Sequence, residues 1–427
     1  MSTHGHNSMR GFLQADTDLT LPVPAAPPVE ASVPEGTATA IEQTYFDPTQ
    51  AELSAALPED VALLCVTSSR SNNQPRLNLS WHYRRSVRVS PYENVSADMP
   101  LSDLSLSKLV EETASCQGGT PWRKAYFDAM SWWLSPDRLI EWVRELIAVQ
   151  GECRLVIWDN TAYEIPWELF YCESAGDADD RTQGWLGELI PVIRWTSIHD
   201  GIRNWNYSAE ERHCEGGLLM LEDEAFGEES DSIDIFLVEP PTRSIPDLMN
   251  RLEEASVPEF GLLLIRCRGI YSKDSREFTL GELSLNEYRE FTMSALHTSR
   301  APVLLNACSS GRTVTDSRRP GMPVRSFAEL FLRRGASAVI AAVGEIDLNH
   351  SHDFARRLLF ETTDDKTRLA EVLHNHRKHY ARSVRRARTD SRSEADFRLF
   401  FDSFMYVYYG HPNTTLRTVP RDQRSSP

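Results

Sequence analysis

The sequence predicts an α/β fold: a parallel-rich β-sheet flanked by helices on both faces. Three observations carry this. Short continuously apolar runs recur along the chain, amphipathic segments with helical spacing lie between them, and polar turn residues punctuate both. A strand buried on both faces reads as an unbroken apolar run, whereas a half-buried strand alternates. At 427 residues the chain is long enough for two domains or one large domain.

Residues 1–45, including "LPVPAAPPVEASVPEGTATA", are rich in Pro, Ala, Thr and Ser and are expected to form a disordered tail. Residues 60–150 are read as an N-terminal α/β region. "DVALLCVTS" and the alternating "LNLSWHYRRSVRVS" supply its two opening strands. Thr120 to Gln150 is helical in pattern. Ser135-Pro136-Asp137 divides it, because Ser caps a helix and Pro suits the first helical position.

Residues 150–412 alternate strands and helices. The strands are "CRLVIWDN", "GGLLMLED", "DIFLV", "FGLLLIRC", "APVLLNAC" and "ASAVIAAVG". The helices between them are "IPDLMNRLEEAS", "LNEYREFTMSALHTS" and "MPVRSFAELFLRRG". Leu369, Val372, Leu373, His376, Tyr380 and Val384 then mark one face of a helix, with Lys378, Arg382, Arg385 and Arg388 opposite. "LFFDSFMYVYYGHP" reads as a closing strand, and residues 418–427 as a polar tail.

Composition narrows the function classes. Lys and Arg number 45 against 62 Asp and Glu, a formal charge of −17, so neither nucleic acid nor an anionic membrane is an expected partner. The seven cysteines are scattered without a C-x-x-C pair, as in a reducing compartment. No run approaches the ~18 apolar residues of a membrane span and no signal-peptide core is present, so the expected location is the cytoplasm. There is no P-loop and no G-x-G-x-x-G, and His374, His376 and His379 do not share a helical face. No cofactor and no metal is therefore expected.

Ligands of such sheets sit at the carboxyl ends of the strands. Two predicted strands end there in chemically interesting residues: "LLNACSSG" (Leu304 to Gly311) in Cys308, and "FGLLLIRC" in Cys267-Arg268-Gly269. A lone apolar-flanked cysteine is more often core than nucleophile. "LLNACSSG", however, resembles the nucleophile motif of the CHAT family, caspase-fold domains related to caspases and separases. The similarity continues through "RLVIWDNTAYEIPWELFY" with Pro166, Trp167 and Glu168, through "GWLGELIPVIRW", and through "FAELFLRRGASAVIAAVGEID" with the Gly335 turn. It ends in "YVYYGHP" with Gly410 and Pro412. The motifs keep the family's order over residues 150–412.

The resemblance implies a caspase-like fold, a Cys308 nucleophile, and a catalytic histidine in a Cys-His-Gly sequence. Here that position holds Arg268. Gly344 also stands where the family commonly has Trp. Arginine stays protonated, so it cannot take the thiol proton, although its charge is expected to favour a Cys308 thiolate. Two function readings follow. One is a degenerate peptidase acting as a regulatory or protein-binding module in a bacterial signalling or defence system. The other is an active cysteine endopeptidase in which His350 or His352 serves as a relocated base; either way a protein is the expected partner or substrate.

Further features carry paired readings. Arg268 with Gly269 and the backbone N–H groups of Ser309, Ser310 and Gly311 could bind an anion, against a plain ion pair for the arginine. The basic face from His374 to Arg388 is more simply solvated than partner-binding. The acidic stretch Glu222 to Ile235 is more simply an insertion than a lid. Trp132, Trp133, Trp142, Trp158, Trp167 and Trp185 are read as core.

Overall fold

The computed structural model describes residues 57–424 apart from intervening segments, of which the longest are 91–105, 174–181 and 315–325. The expected tail over residues 1–45 lies outside the described residues, as do Trp132 and Trp133. The strands of the main sheet are β1 (Val61–Ser71), β2 (Gln74–Tyr83), β3 (Ser86–Ser90), β4 (Arg154–Asp159), β5 (Val192–Trp195) and β6 (His213–Glu222). They continue with β7 (Phe260–Arg266), β8 (Val303–Asn306), β9 (Ala338–Ala342), β10 (Thr367–Arg368), β11 (Tyr406–Gly410) and β12 (Thr415–Thr418).

Their spatial order is β10-β12-β6-β7-β8-β9-β11-β5-β4-β1-β2-β3. Two parallel blocks meet at one antiparallel seam. β12, β6, β7, β8 and β9 run parallel, as do β11, β5, β4 and β1, and β9 pairs antiparallel with β11. The N-terminal region adds its strands to this same sheet: β1 pairs in parallel with β4 from Val61↔Arg154 to Val66↔Asp159.

Helices cover both faces. They are α1 (Leu106–Gln117), α2 (Trp122–Ser131), α3 (Asp137–Ala148), α4 (Ile245–Glu253), α5 (Ser294–Ser299) and α6 (Phe327–Arg333). Three more follow: α7 (Leu348–Glu361), α8 (Leu369–Arg386) and α9 (Glu394–Phe404). The strand period of two distributes one run of sequence between two cores. In β1, Ala62, Leu64 and Val66 join the core with α1, α2, α3 and α9, while Val61, Leu63 and Cys65 face the core with α7 and α8. In β7 and β8, Leu263, Ile265, Val303 and Leu305 face α4, α5 and α6, and Leu262, Leu264 and Leu304 face α7 and α8. Trp142, Trp158, Trp167 and Trp185 are buried, as their core reading requires.

Several expectations are corrected. "DIFLV" is a short 3-10 turn over Asp234–Phe236, joined to β6 by an isolated Leu218↔Leu237 bridge at which Val238 N–H donates to Leu218 O (2.9 Å). The helix expected over "LNEYREFTMSALHTS" breaks into a 3-10 turn, Glu287–Glu290, and α5, because Met293 between them takes a left-handed conformation. "LFFDSFMYVYYGHP" divides into α9 and β11, since Phe397, Phe400, Phe401 and Phe404 recur at helical spacing. The tail expected from Thr418 starts inside β12; beyond it Val419 N–H donates to Gly216 O, and Arg424 donates to the carbonyls of Phe236 and Leu237 at 2.9 Å.

Two ion networks tie early and late segments together. Glu168 accepts from Arg194 Nε (2.9 Å) and Nη2 (2.5 Å) and lies 3.8 Å from Arg377 of α8. Arg194 and Arg377 hold its carboxyl below the usual range against the opposing effect of burial. The basic face of α8 is thus partly internal: Arg377 is buried, and Arg385 lies 2.5 Å from the buried carboxyl of Glu188. The acidic stretch begins in structure too, Glu222 of β6 pairing with Arg266 (3.1 Å) and Arg243 (3.4 Å).

Candidate active site at the ends of β7 and β8

β7 and β8 are adjacent and parallel, with Arg266 opposite Asn306, so their exits bring the 267–269 turn beside Cys308. The contact between them is close. A Cβ on Gly269 would overlap the Cys308 carbonyl oxygen and sit 3.1 Å from its carbonyl carbon, so glycine is what lets the two turns touch. The sequence therefore places position 268, the position of the expected histidine, alongside the cysteine. Arg268 is exposed, and among the described residues its guanidinium has no ion pair.

The turn that carries Cys308 is rigid. Ser309 adopts φ +57 and donates its N–H to Gly344 O at 2.9 Å. Ser310 N–H goes to Ala307 O at 3.3 Å and Gly311 N–H to Ala342 O at 2.7 Å. Ser310 Oγ bridges Leu305 O and Ala342 N–H, at 3.3 and 3.2 Å. These bonds pin the turn to β9 and correct the expectation of an anion cradle: the three amides already donate to protein carbonyls. Arg312 locks the far side, donating to Glu164 (3.0–3.3 Å) and Ser107 (3.0 Å) with its guanidinium 4.0 Å from the Tyr271 ring centre. These partners were not foreseen, since Glu164, Ser107 and Arg312 are distant in sequence.

Cys308 is half-buried while the other described cysteines are buried. Burial pushes its thiol pKa up; the facing Ile346 amide opposes this, and the charges of Glu345 and Asp402 add to it. The direction is opposite to the expected thiolate, with burial as its main cause. Two residues before Cys308, Asn306 donates to Ser351 O of α7 (2.9 Å) and accepts from the Tyr406 hydroxyl (2.5 Å), which joins the turn to β11.

His350 and His352 lie on α7, capped by Asp347. His350 is committed elsewhere. Arg357 donates to His376 Nδ1 (3.4 Å), so His376 Nε2 carries the proton that is shared with His350 Nε2 (3.0 Å). The acceptor nitrogen of His350 is thereby used. Burial lowers its pKa to about 4 and drives that of His376 well down, keeping both neutral. His352 is buried, its ring 6.4 Å from that of Phe226. Of the two expected substitute bases, His350 thus has its acceptor nitrogen on His376 and not on the Cys308 sulfur.

Asp402 of α9 is a buried carboxyl that the sequence reading did not single out. It is buried, its Oδ2 has no hydrogen-bond partner among the described residues, and burial raises its pKa to about 7. Its helix follows α8 by a long path from Cys308, so sequence distance concealed it. Among the described residues, no helix is long and apolar enough to cross a membrane.

No family model and no curated protein matches the chain. Among solved structures it is similar to the Arg-specific cysteine proteinase gingipain R, at TM-score 0.36 and 13% identity, over 67% of this chain and 69% of that one. It is also similar to Saccharomyces cerevisiae separase in its complex with securin, at TM-score 0.47 and 10% identity. That match covers 86% of this chain and 31% of that one, so the chain spans about a third of the separase chain. With TM-scores below 0.5, these likenesses assign neither family nor activity to this protein.

Proposed function

We propose that the protein is a caspase-like, CHAT-type module whose peptidase chemistry has degenerated and whose role is to bind and regulate another protein in a bacterial signalling or defence system. One observation carries the reading. The Cys308 turn is braced at a strand end, where the resemblance expects a nucleophile, yet the neighbouring position 268 offers a solvent-facing arginine instead of a proton acceptor. A peptidase must both deprotonate its thiol and protonate the leaving amine, and losing such help typically costs ~10²–10⁴ in rate.

The test is digestion of a peptide library by wild type, Cys308→Ala and Arg268→His, read by mass spectrometry. Wild type is expected to make no cuts that depend on Cys308, and Arg268→His to gain some. Cuts by wild type that vanish in Cys308→Ala would overturn the reading.

A further inference from the structure

Four stretches of the chain meet at one buried arginine. Arg312 leaves the Cys308 turn, its N–H donating to Ser309 O at 3.0 Å, and its side chain is 3% exposed. Its guanidinium donates to Glu164 (3.0–3.3 Å) and to Ser107 Oγ (3.0 Å), and lies 4.0 Å from the Tyr271 ring centre. Tyr271 closes the other side, its hydroxyl donating to Thr313 O at 3.1 Å. Ser107 belongs to the first turn of α1, and Tyr271 follows the short strand Gly269–Ile270 whose glycine abuts Cys308. Both turns of the candidate site and the N-terminal region therefore lean on the same ion pair.

Glu164 is the member they share. Its carboxylate takes Arg312 and the Thr313 N–H (2.6 Å), while its own carbonyl oxygen takes the Leu106 N–H that opens α1 (2.9 Å). One residue thus grips the wall of the cleft with its side chain and α1 with its backbone. It does so at φ +46, in the left-handed region that a residue with a Cβ rarely adopts. Such a conformation persists only where its surroundings over-determine it, and the bonds that hold this one come from two separate parts of the chain. A buried guanidinium deprived of its carboxylate is costly, so Arg312 does not keep its place when Glu164 withdraws.

We propose that Glu164 is a latch between α1 and the Cys308 cleft. Movement of α1, as when a partner protein binds the N-terminal region, withdraws the carboxylate from Arg312 and frees the Arg312–Thr313 and Tyr271 walls together. The proposal rests on the reading of the protein as a module that regulates a partner through this cleft. Glu164 acts through Arg312 and is a positioning residue. Coupling between two sites is reciprocal, so a change made at the cleft is also felt at α1.

The experiment is hydrogen–deuterium exchange of the whole protein, read in peptides covering 106–117 and 309–314, beside the rate of Cys308 alkylation by iodoacetamide. The proteins are wild type, Glu164→Gln, Ser107→Ala and, as a control, Glu239→Gln, which breaks the Glu239–Arg251 ion pair of α4. Glu164→Gln is expected to raise exchange in both peptides and to change the Cys308 rate, each by roughly threefold or more. Ser107→Ala, altered only on α1, is expected to move 309–314 and the Cys308 rate in the same directions by less, and Glu239→Gln to move neither. In reverse, alkylation of wild-type Cys308 is expected to change exchange in 106–117. A thermal melt shows which variants fold. If Glu164→Gln does not, Ser107→Ala and the alkylated wild type decide, and no change in either overturns the proposal. Faster exchange in 106–117 of Glu164→Gln, with 309–314 and the Cys308 rate unchanged, would also overturn it, since the ion pair would then only anchor α1. Cuts by wild type that depend on Cys308 would instead sink the regulatory reading and leave the exchange coupling standing.

Discussion

Gly269→Ala tests the contact on which the site depends. The added methyl would overlap the Cys308 carbonyl oxygen, with the carbonyl carbon at 3.1 Å and the amide nitrogen at 3.4 Å, against an ordinary carbon–oxygen separation of ~3.3–3.6 Å. Neither side yields easily. Gly269 begins a short strand paired with Leu280, and Cys308 is followed by amides bonded to β9 and Gly344. Overpacking a rigid interior costs ~1–3 kcal/mol, and two braced backbone segments put this case at the upper end.

Gly311→Ala is the matched control, its nearest neighbour being the Val343 Cγ1 at 3.1 Å, a side-chain methyl that can move a few tenths of an ångström. The assay is thermal unfolding beside Cys308 labelling by iodoacetamide. At ~2 °C per kcal/mol for a domain this large, Gly269→Ala is expected to melt roughly 4–6 °C below wild type, with altered Cys308 reactivity. Gly311→Ala should lie nearer to wild type. Equal, small losses in both variants would refute the close approach of the two turns.

Three further outcomes are expected. Glu168→Gln strands Arg194 and Arg377 in the interior and should destabilise the protein by ~3–5 kcal/mol in urea unfolding; a loss under ~1 kcal/mol would contradict the buried network. His350 and His374 are held neutral in the fold, with pKa values of about 4 and about 3, so the unfolded chain binds more protons below the ordinary histidine value. Stability should therefore fall as pH drops from ~6.5 toward 4, and a flat melting profile over that window would contradict it. Asp402 has the opposite sign: its raised folded pKa lets the fold keep its full stability below the unfolded carboxyl value and lose some as pH rises toward 7. Asp402→Asn should then match wild type in melting temperature near pH 4 and exceed it at pH 8, by on the order of 2–4 kcal/mol; a variant less stable than wild type at pH 8 would contradict it.

Much of the sheet was legible because strands buried on both faces are spelled as apolar runs, as in β6, β7, β8 and β9. Errors arose where a few residues left the pattern ambiguous. "DIFLV" is too short to separate strand from turn, and in "LFFDSFMYVYYGHP" the aromatics suit a strand singly while their spacing suits a helix. At the site, Cys308 and position 268 were legible because each follows a strand end and the strands are consecutive. The protonation chemistry was not. The thiol is raised first by burial, with the Ile346 amide opposing and the charges of Glu345 and Asp402 adding to it, and none of these is spelled out around Cys308 in the sequence. Equally, nothing in "LNHSH" reveals that His350 spends its acceptor nitrogen on His376 of another helix.

The central claim is that Cys308 keeps a peptidase nucleophile's place without an imidazole to serve it. Its most direct test is the second-order rate of Cys308 labelling by a peptide acyloxymethyl ketone at pH 7.5, comparing wild type with Arg268→His, His350→Gln and Cys308→Ala. The account predicts slow labelling of wild type that is abolished by Cys308→Ala, unchanged by His350→Gln, and raised at least tenfold by Arg268→His. Fast labelling of wild type that His350→Gln removes would show that an imidazole already serves the cysteine, and would contradict the account.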